Sequence, residues 1–293
     1  MEKYDSAIKF LDDVEEFLLA AEVENNLPLG VIYNLVKQEE KKEESDESEG
    51  DKSPLLARIT RDEDTLLVLL RTPPRNLILV GSRERQLDSA VSRAVSHLAA
   101  EDDSLPGVIG VKETAEKFAR SWQRRSGGRI EVSMEQRLYR LEEVKSISKA
   151  PGRFSPATEK HLDIVQDWIV QFADESLEEE ISGEEARKKA IKQIEENKIY
   201  LWLVEDEPVS MAASLRSTPN VVAVGYVYTP PGRRRQGYAT SAVAELSRHL
   251  LEEENFSFCC LFTDLANPTS NSIYRKIGYR PVVDFIQYKF INE

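Results

Sequence analysis

Apolar residues repeat along this chain with two periods, and the alternation between them predicts a series of helices and strands. Tyr4 to Ala21 places Ile8, Leu11, Val14, Phe17 and Leu18 on one side of a helix. Pro28 and Gly30 break that pattern, and Val31 to Val36 reads as a strand or a helix end. Residues 38–53 are almost wholly charged or polar, which predicts an exposed, mobile acidic loop. Leu55 to Ile59, Thr65 to Arg71 and Asn76 to Val80 are predicted strands. Gln86 to Ala100 and Lys112 to Arg125 have helical spacing, with a loop predicted at Pro106 to Gly110. Ile130 to Leu141 alternates enough for one or two strands.

Val144 to Pro156 contains KSISKAPGRFSP and reads as a linker. It divides the chain into residues 1–146 and 151–293. A second series follows. Thr158 to Phe172 is a predicted helix, and Ser182-Gly183-Glu184-Glu185 is a capping box opening another. Ile199 to Val204 and Val209 to Leu215 flank a turn at Glu205 to Pro208. Phe256 to Phe262 and Val282 to Phe290 are strands, with a short helix between them from Ser270 to Ile277. The fold class is α/β (α+β), with mixed sheets flanked by helices.

The most informative stretch is Val221 to Glu253. Val221 to Thr229 suits a strand, and Pro230, Pro231 and Gly232 end it. A helix follows, with Val243, Leu246, Leu250 and Leu251 on its buried face. Between them stand Arg233, Arg234, Arg235, Gln236, Gly237, Tyr238 and Ala239. The first N–H groups of a helix lack internal partners and carry partial positive charge. Gly237 would let an anion approach the backbone closely, and the arginines add charge. This is a pyrophosphate cradle, but neither a Walker loop nor a dinucleotide fingerprint.

Arg234-Arg235-Gln236-Gly237-Tyr238-Ala239 resembles the R/Q-x-x-G-x-G/A signature of the GNAT-type N-acetyltransferases. Asn267 to Tyr279 is similar to the second half of that family in order and spacing. The resemblance covers roughly residues 151–293, and residues 1–146 look like a degenerate tandem copy. It implies an acetyl-CoA-dependent transfer of an acetyl group to a primary amine of a small molecule or peptide. It also implies CoA contacts from Val227, Thr229, Arg234, Arg235, Gln236, Gly237, Tyr238, Ala239, Thr240, Asn267 and Asn271. Tyr274 matches the family's general acid; the competing reading is a ring that only packs. Asn267 and Asn271 would equally serve as a loop turn and a helix cap. Asp264 is a candidate base, or a solvated loop acid. A CoA-binding sensor or interaction module that transfers nothing is the alternative to an enzyme.

Composition narrows the partners. The chain has 293 residues, 41% hydrophobic and 31% charged, with a net charge of −13. That charge argues against nucleic acid and suits a cationic acceptor, or simply a soluble surface. No apolar run is long enough for a membrane helix. Only Cys259 and Cys260 are present, in a predicted strand, where core packing competes with a nucleophilic role. No disulfide framework is expected, the location expected is cytoplasmic, and no metal site is visible. A monomer or homodimer is expected.

Overall fold

The computed structural model describes residues 1–43, 53–83, 86–101, 105–177 and 181–291. In chain order the elements are β1 (Glu2–Tyr4), α1 (Ala7–Leu19), α2 (Asn26–Glu43), β2 (Leu55–Arg61), β3 (Asp64–Arg71), β4 (Leu77–Gly81), α3 (Leu87–Ala100), β5 (Gly107–Val111), α4 (Lys112–Ser126) and β6 (Arg129–Leu141). A second series follows: β7 (Arg153–Pro156), α5 (Leu162–Leu177), α6 (Gly183–Glu195), β8 (Ile199–Val204), β9 (Glu207–Ser217), β10 (Val221–Tyr228), α7 (Tyr238–Glu252), β11 (Phe258–Asp264), α8 (Pro268–Ile277) and β12 (Arg280–Ile291). The order β-α-α-β-β-β-α-β-α-β thus occurs twice.

By contacts the chain forms two compact units. The first holds Met1–Leu138, Thr263–Ala266 and Val282–Glu293; the second holds Tyr139–Phe262 and Asn267–Pro281. They differ from the sequence halves 1–146 and 151–293 chiefly in the last strand, which falls with the first unit.

In the first unit the strand order is β1-β2-β3-β4-β5-β12-β6. Strands β1 to β4 pair antiparallel, and β4 pairs β5 in parallel. Strand β3 shows why both faces are covered. Leu67 and Leu69 enter a core with α3 and α4, while Val68 and Leu70 enter one with α1 and α2. Each such side chain contributes about 1.5–3 kcal/mol on burial, so the strand reads as a continuous apolar run rather than an alternation. β12 closes against β5 in antiparallel register, from Phe285↔Val111 to Lys289↔Gly107. Its Ile286, Tyr288 and Phe290 are buried in the α3–α4 core, and Phe290 stacks on Trp122 at 5.8 Å.

Two predictions fail here. Pro106 to Gly110 is not a loop, because Gly107 begins β5. A Cβ on Gly107 would sit 2.1 Å from the Tyr288 carbonyl oxygen. Glycine is there for close strand approach, not for a turn. Gly107→Ala should therefore lower stability by about 3 kcal/mol, read as a shift in the urea midpoint at unchanged slope. Residues 38–43 of the predicted acidic loop are helical instead. Pro28 sits in the first turn of α2, where its missing N–H costs nothing, and the helix runs to Glu43. Its Glu39 accepts a hydrogen bond from the Ala7 N–H, at the start of α1. Residues 44–52 of that predicted loop lie outside the described residues.

In the second unit the order is β11-β10-β9-β8-β7. Helix α7 covers one face, with Val243, Leu246 and Leu250 in its core. Helices α5 and α6 cover the other, with Val165, Ile169, Ala186 and Ala190. The Ser182 capping box forms in both directions at α6, and β8 turns into β9 through Glu205 and Asp206, both at positive φ.

Candidate active site

Strands β10 and β11 pair in parallel only from Val221↔Phe258 to Ala223↔Cys260. Both continue beyond that point, so they part. β10 also bulges against β9 between Gly225 and Tyr228, where Tyr226 takes φ 46°. Val227 lies inside this bulge with no register partner on β9. Its backbone is thereby freed from the ladder. Thr229 follows the strand; its hydroxyl meets that of Ser210 at 2.8 Å, and its carbonyl accepts from Arg234 Nε at 2.8 Å.

The cradle follows directly. Residues 231–237 are all exposed. Arg235 takes φ 64°, and Gly237 caps α7 with φ 81° and no side-chain hydrogen bond. The first helical bond runs from the Ser241 N–H to the Gly237 carbonyl, which leaves the N–H groups of Tyr238, Ala239 and Thr240 outside the helical ladder. A Cβ on Gly237 would lie 3.6 Å from that of Ala150, an ordinary contact. Space is therefore not what selects glycine here; the left-handed backbone is.

The arginines divide by role. Arg233 pairs with Glu207 at 3.0 Å. Arg234 pairs with Glu175, and its guanidinium lies 5.8 Å from the centre of the Tyr228 ring. Tyr228 donates to Gln171 at 2.7 Å and to Glu175 at 3.1 Å. Arg234 is thus braced between β10 and α5. Arg235 makes no ion pair or hydrogen bond among the described residues. Gln236 accepts from the buried Tyr238 hydroxyl at 2.9 Å.

On α8, Asn267 caps the helix by accepting the Ser270 N–H at 3.0 Å. Asn271 donates to the Asn267 carbonyl at 2.7 Å and accepts from the Tyr139 hydroxyl at 2.9 Å. Tyr274 is buried, with its ring 6.5 Å from Tyr139 and 5.9 Å from Tyr279. Burial pushes its phenol up to about 12. Asp264 groups with the first unit, where its carboxylate accepts the Ala266 N–H at 2.8 Å and shapes a turn.

Several other titratable side chains are held by the fold itself. Cys259 and Cys260 are both buried, and burial raises both thiols, Cys260 to about 12. His161 accepts the Thr158 N–H, and His249 faces Tyr200, Glu253 and Glu254. No group of three metal-binding side chains occurs among the described residues, and no described helix is long and apolar enough to cross a membrane.

Two residues escape the sequence patterns. Glu175 lies beyond the predicted end of its helix at Phe172, yet it holds Arg234. Arg216 lies one residue beyond the predicted end of β9, yet its Nε is buried with no hydrogen-bond partner. An arginine directly after an apolar strand is the only signal for it.

Comparison with known proteins bears on the fold. Residues 200–286 match the family model described as FR47-like protein. A GNAT-family acetyltransferase from Colwellia psychrerythraea superposes with TM-score 0.61 at 11% identity, covering 99% of both chains. A Drosophila protein superposes with TM-score 0.66 at 12% identity, covering 99% of this chain and 98% of its own. A GCN5-related N-acetyltransferase from Sphaerobacter thermophilus gives 0.59 at 11%, covering 87% and 86%. No curated protein matches the chain. The fold is that of the GNAT acetyltransferases.

Proposed function

We propose that the protein is an acetyl-CoA-dependent N-acetyltransferase acting on a primary amine. The observation that carries this reading is the opening between β10 and β11 beside an uncapped helix N-terminus. Bulged backbone and free N–H groups there converge on one extended ligand, an acyl thioester with a pyrophosphate arm. The chain's residues fit it. Gly237 to Thr240 with Arg235 would hold the phosphates, and Val227 would present backbone groups to the pantetheine arm. Acetyl-CoA, when bound, supplies the acetyl group as a thioester. The amine nitrogen bonds to the acetyl carbon, the carbon–sulfur bond breaks, the amine gives up a proton and the thiolate gains one. Tyr274 is the chain's candidate for delivering that last proton.

Calorimetric titration with CoA, followed by a thiol-release assay with acetyl-CoA and an amine panel, tests the reading. Binding and amine-dependent thiol release are expected. Binding without release for any amine would favour a CoA-sensing module, and no binding would reject both.

A further inference from the structure

Arg216 sits in an irregular stretch of β9. Val222 pairs with Ser217 and Val224 with Ser214, so β9 carries one extra residue across this interval. The bulge falls at Leu215 and Arg216 and breaks the alternation of faces. Leu215 is laid over Gly225, where a Cβ would come within 2.3 Å of its Cδ1.

The guanidinium of Arg216 ends up in an unusual place. Its Nε is buried without a partner, and no carboxylate pairs with it among the described residues. Burial lowers its proton affinity, and the titratable groups acting on it are the Cys260 thiol and the Tyr226 phenol. Cys260 is the last residue of β11 still paired to β10, and Tyr226 is the bulged residue of β10. The guanidinium therefore lies among side chains of β10 and β11, close to where the two strands part. The residue as a whole is half-buried, so its buried Nε lies near the surface rather than deep in a core. Buried arginines are normally paired, because an uncompensated charge is costly to desolvate. A planar guanidinium fork is best matched by a carboxylate. The phosphates already have their own donors at Gly237 to Thr240.

We infer that Arg216 binds the carboxylate of the acceptor, so that the acceptor is an amino acid or a similar amino-carboxylate rather than a simple amine. This rests on the acetyltransferase reading. It also reverses the expectation from net charge alone, since a local cation outweighs a distant anionic surface at contact range.

The test uses the full chain with acetyl-CoA and a panel of glycine, alanine, glutamate and phenylalanine, each beside its own α-amide. At least one amino acid should be turned over with kcat/KM about 100-fold above its amide. That amino acid, added with CoA, should raise the Tm further than CoA alone. Arg216→Gln should raise its KM about 100-fold, erase the extra Tm rise, and bring amino acid and amide to the same level. CoA affinity by calorimetry should hold. The Tm of the free variant should not fall, because an unpaired buried charge has been removed. Arg216→Lys, with the charge but not the fork, should restore the preference only in part. Equal turnover of acids and amides by the wild type would overturn the inference. So would a uniform loss of kcat for all acceptors in Arg216→Gln, which would place the guanidinium on the acyl oxygen. Unfolding of both variants would make the residue structural and also overturn it. Absence of CoA binding in the wild type would instead reject the acetyltransferase reading, and this inference with it.

Discussion

Gly237→Glu should abolish measurable CoA binding, a loss of about 100-fold or more in calorimetric affinity. Two effects combine. Gly237 holds φ 81° at the start of α7, and a side chain there costs about 1 kcal/mol of backbone strain. The new carboxylate also stands beside the free N–H groups, where it would cap the helix and repel phosphate. The second effect dominates, because two like charges at about 4 Å and an effective dielectric near 20 repel by about 4 kcal/mol. Gly237→Ala separates the two. Its Cβ meets only Ala150 at 3.6 Å, so it suffers the strain alone and should lose roughly fivefold. A Gly237→Glu protein that binds CoA normally and melts normally would show that the N-terminus of α7 holds no phosphate.

Tyr274→Phe should lower kcat about 100-fold while CoA affinity stays within about twofold. The ring packs between Tyr139 and Tyr279, and phenylalanine keeps that packing. What disappears is the hydroxyl. With its acidity pushed to about 12, the phenol is a weaker acid than a thiol near 8.5. Full proton donation to the thiolate therefore runs uphill, and the expected loss sits at the lower end of the range for general acids. The same shift fixes the pH behaviour. Burial raises the acid's pKa, so the proton is retained throughout the neutral and mildly basic range. Loss of activity at pH 8 to 10 would not arise from Tyr274. A Tyr274→Phe enzyme with near-normal kcat would leave the residue as packing and assign the donor to water.

The second half of the chain is legible in its sequence because its signals are local. A strand stopped by two prolines, a glycine before an apolar-faced helix, and a serine–glutamate box at Ser182 each act over fewer than ten residues, and each forms as expected. The misreadings share a cause: the deciding neighbour is distant in sequence. Gly107 and Gly110 read as loop residues until β12 is laid against β5, with Lys289 opposite Gly107 and the Tyr288 carbonyl against it. Pro28 looks like a breaker until its place in the first helical turn is known. β1 is three residues long and takes its identity from pairing with Leu56 to Arg58. At the site the pattern locates the cradle but not the division of labour within it. Three adjacent arginines look alike in sequence, whereas the fold pairs two with Glu207 and Glu175 and gives Arg235 no partner among the described residues. Of the loop turn and helix cap open to them, Asn267 takes the cap, while Asn271 instead bridges the Asn267 carbonyl and the Tyr139 hydroxyl. Arg216 is hidden for a different reason: a bulge, which the residue pattern does not announce, turns it inward.

The placement of β12 sets a timetable for biogenesis. A ribosome has made every other strand of the first unit by Leu141, yet the edge of β5 waits for Phe285 to Lys289 before it is covered. The second unit has all its helices and strands β7 to β11 by Ile277. Vectorial synthesis therefore completes the later unit first and leaves the earlier one with an open sheet until Phe285 to Lys289 have left the exit tunnel. During that interval the bare β5 edge is the part of the nascent chain most in need of a chaperone.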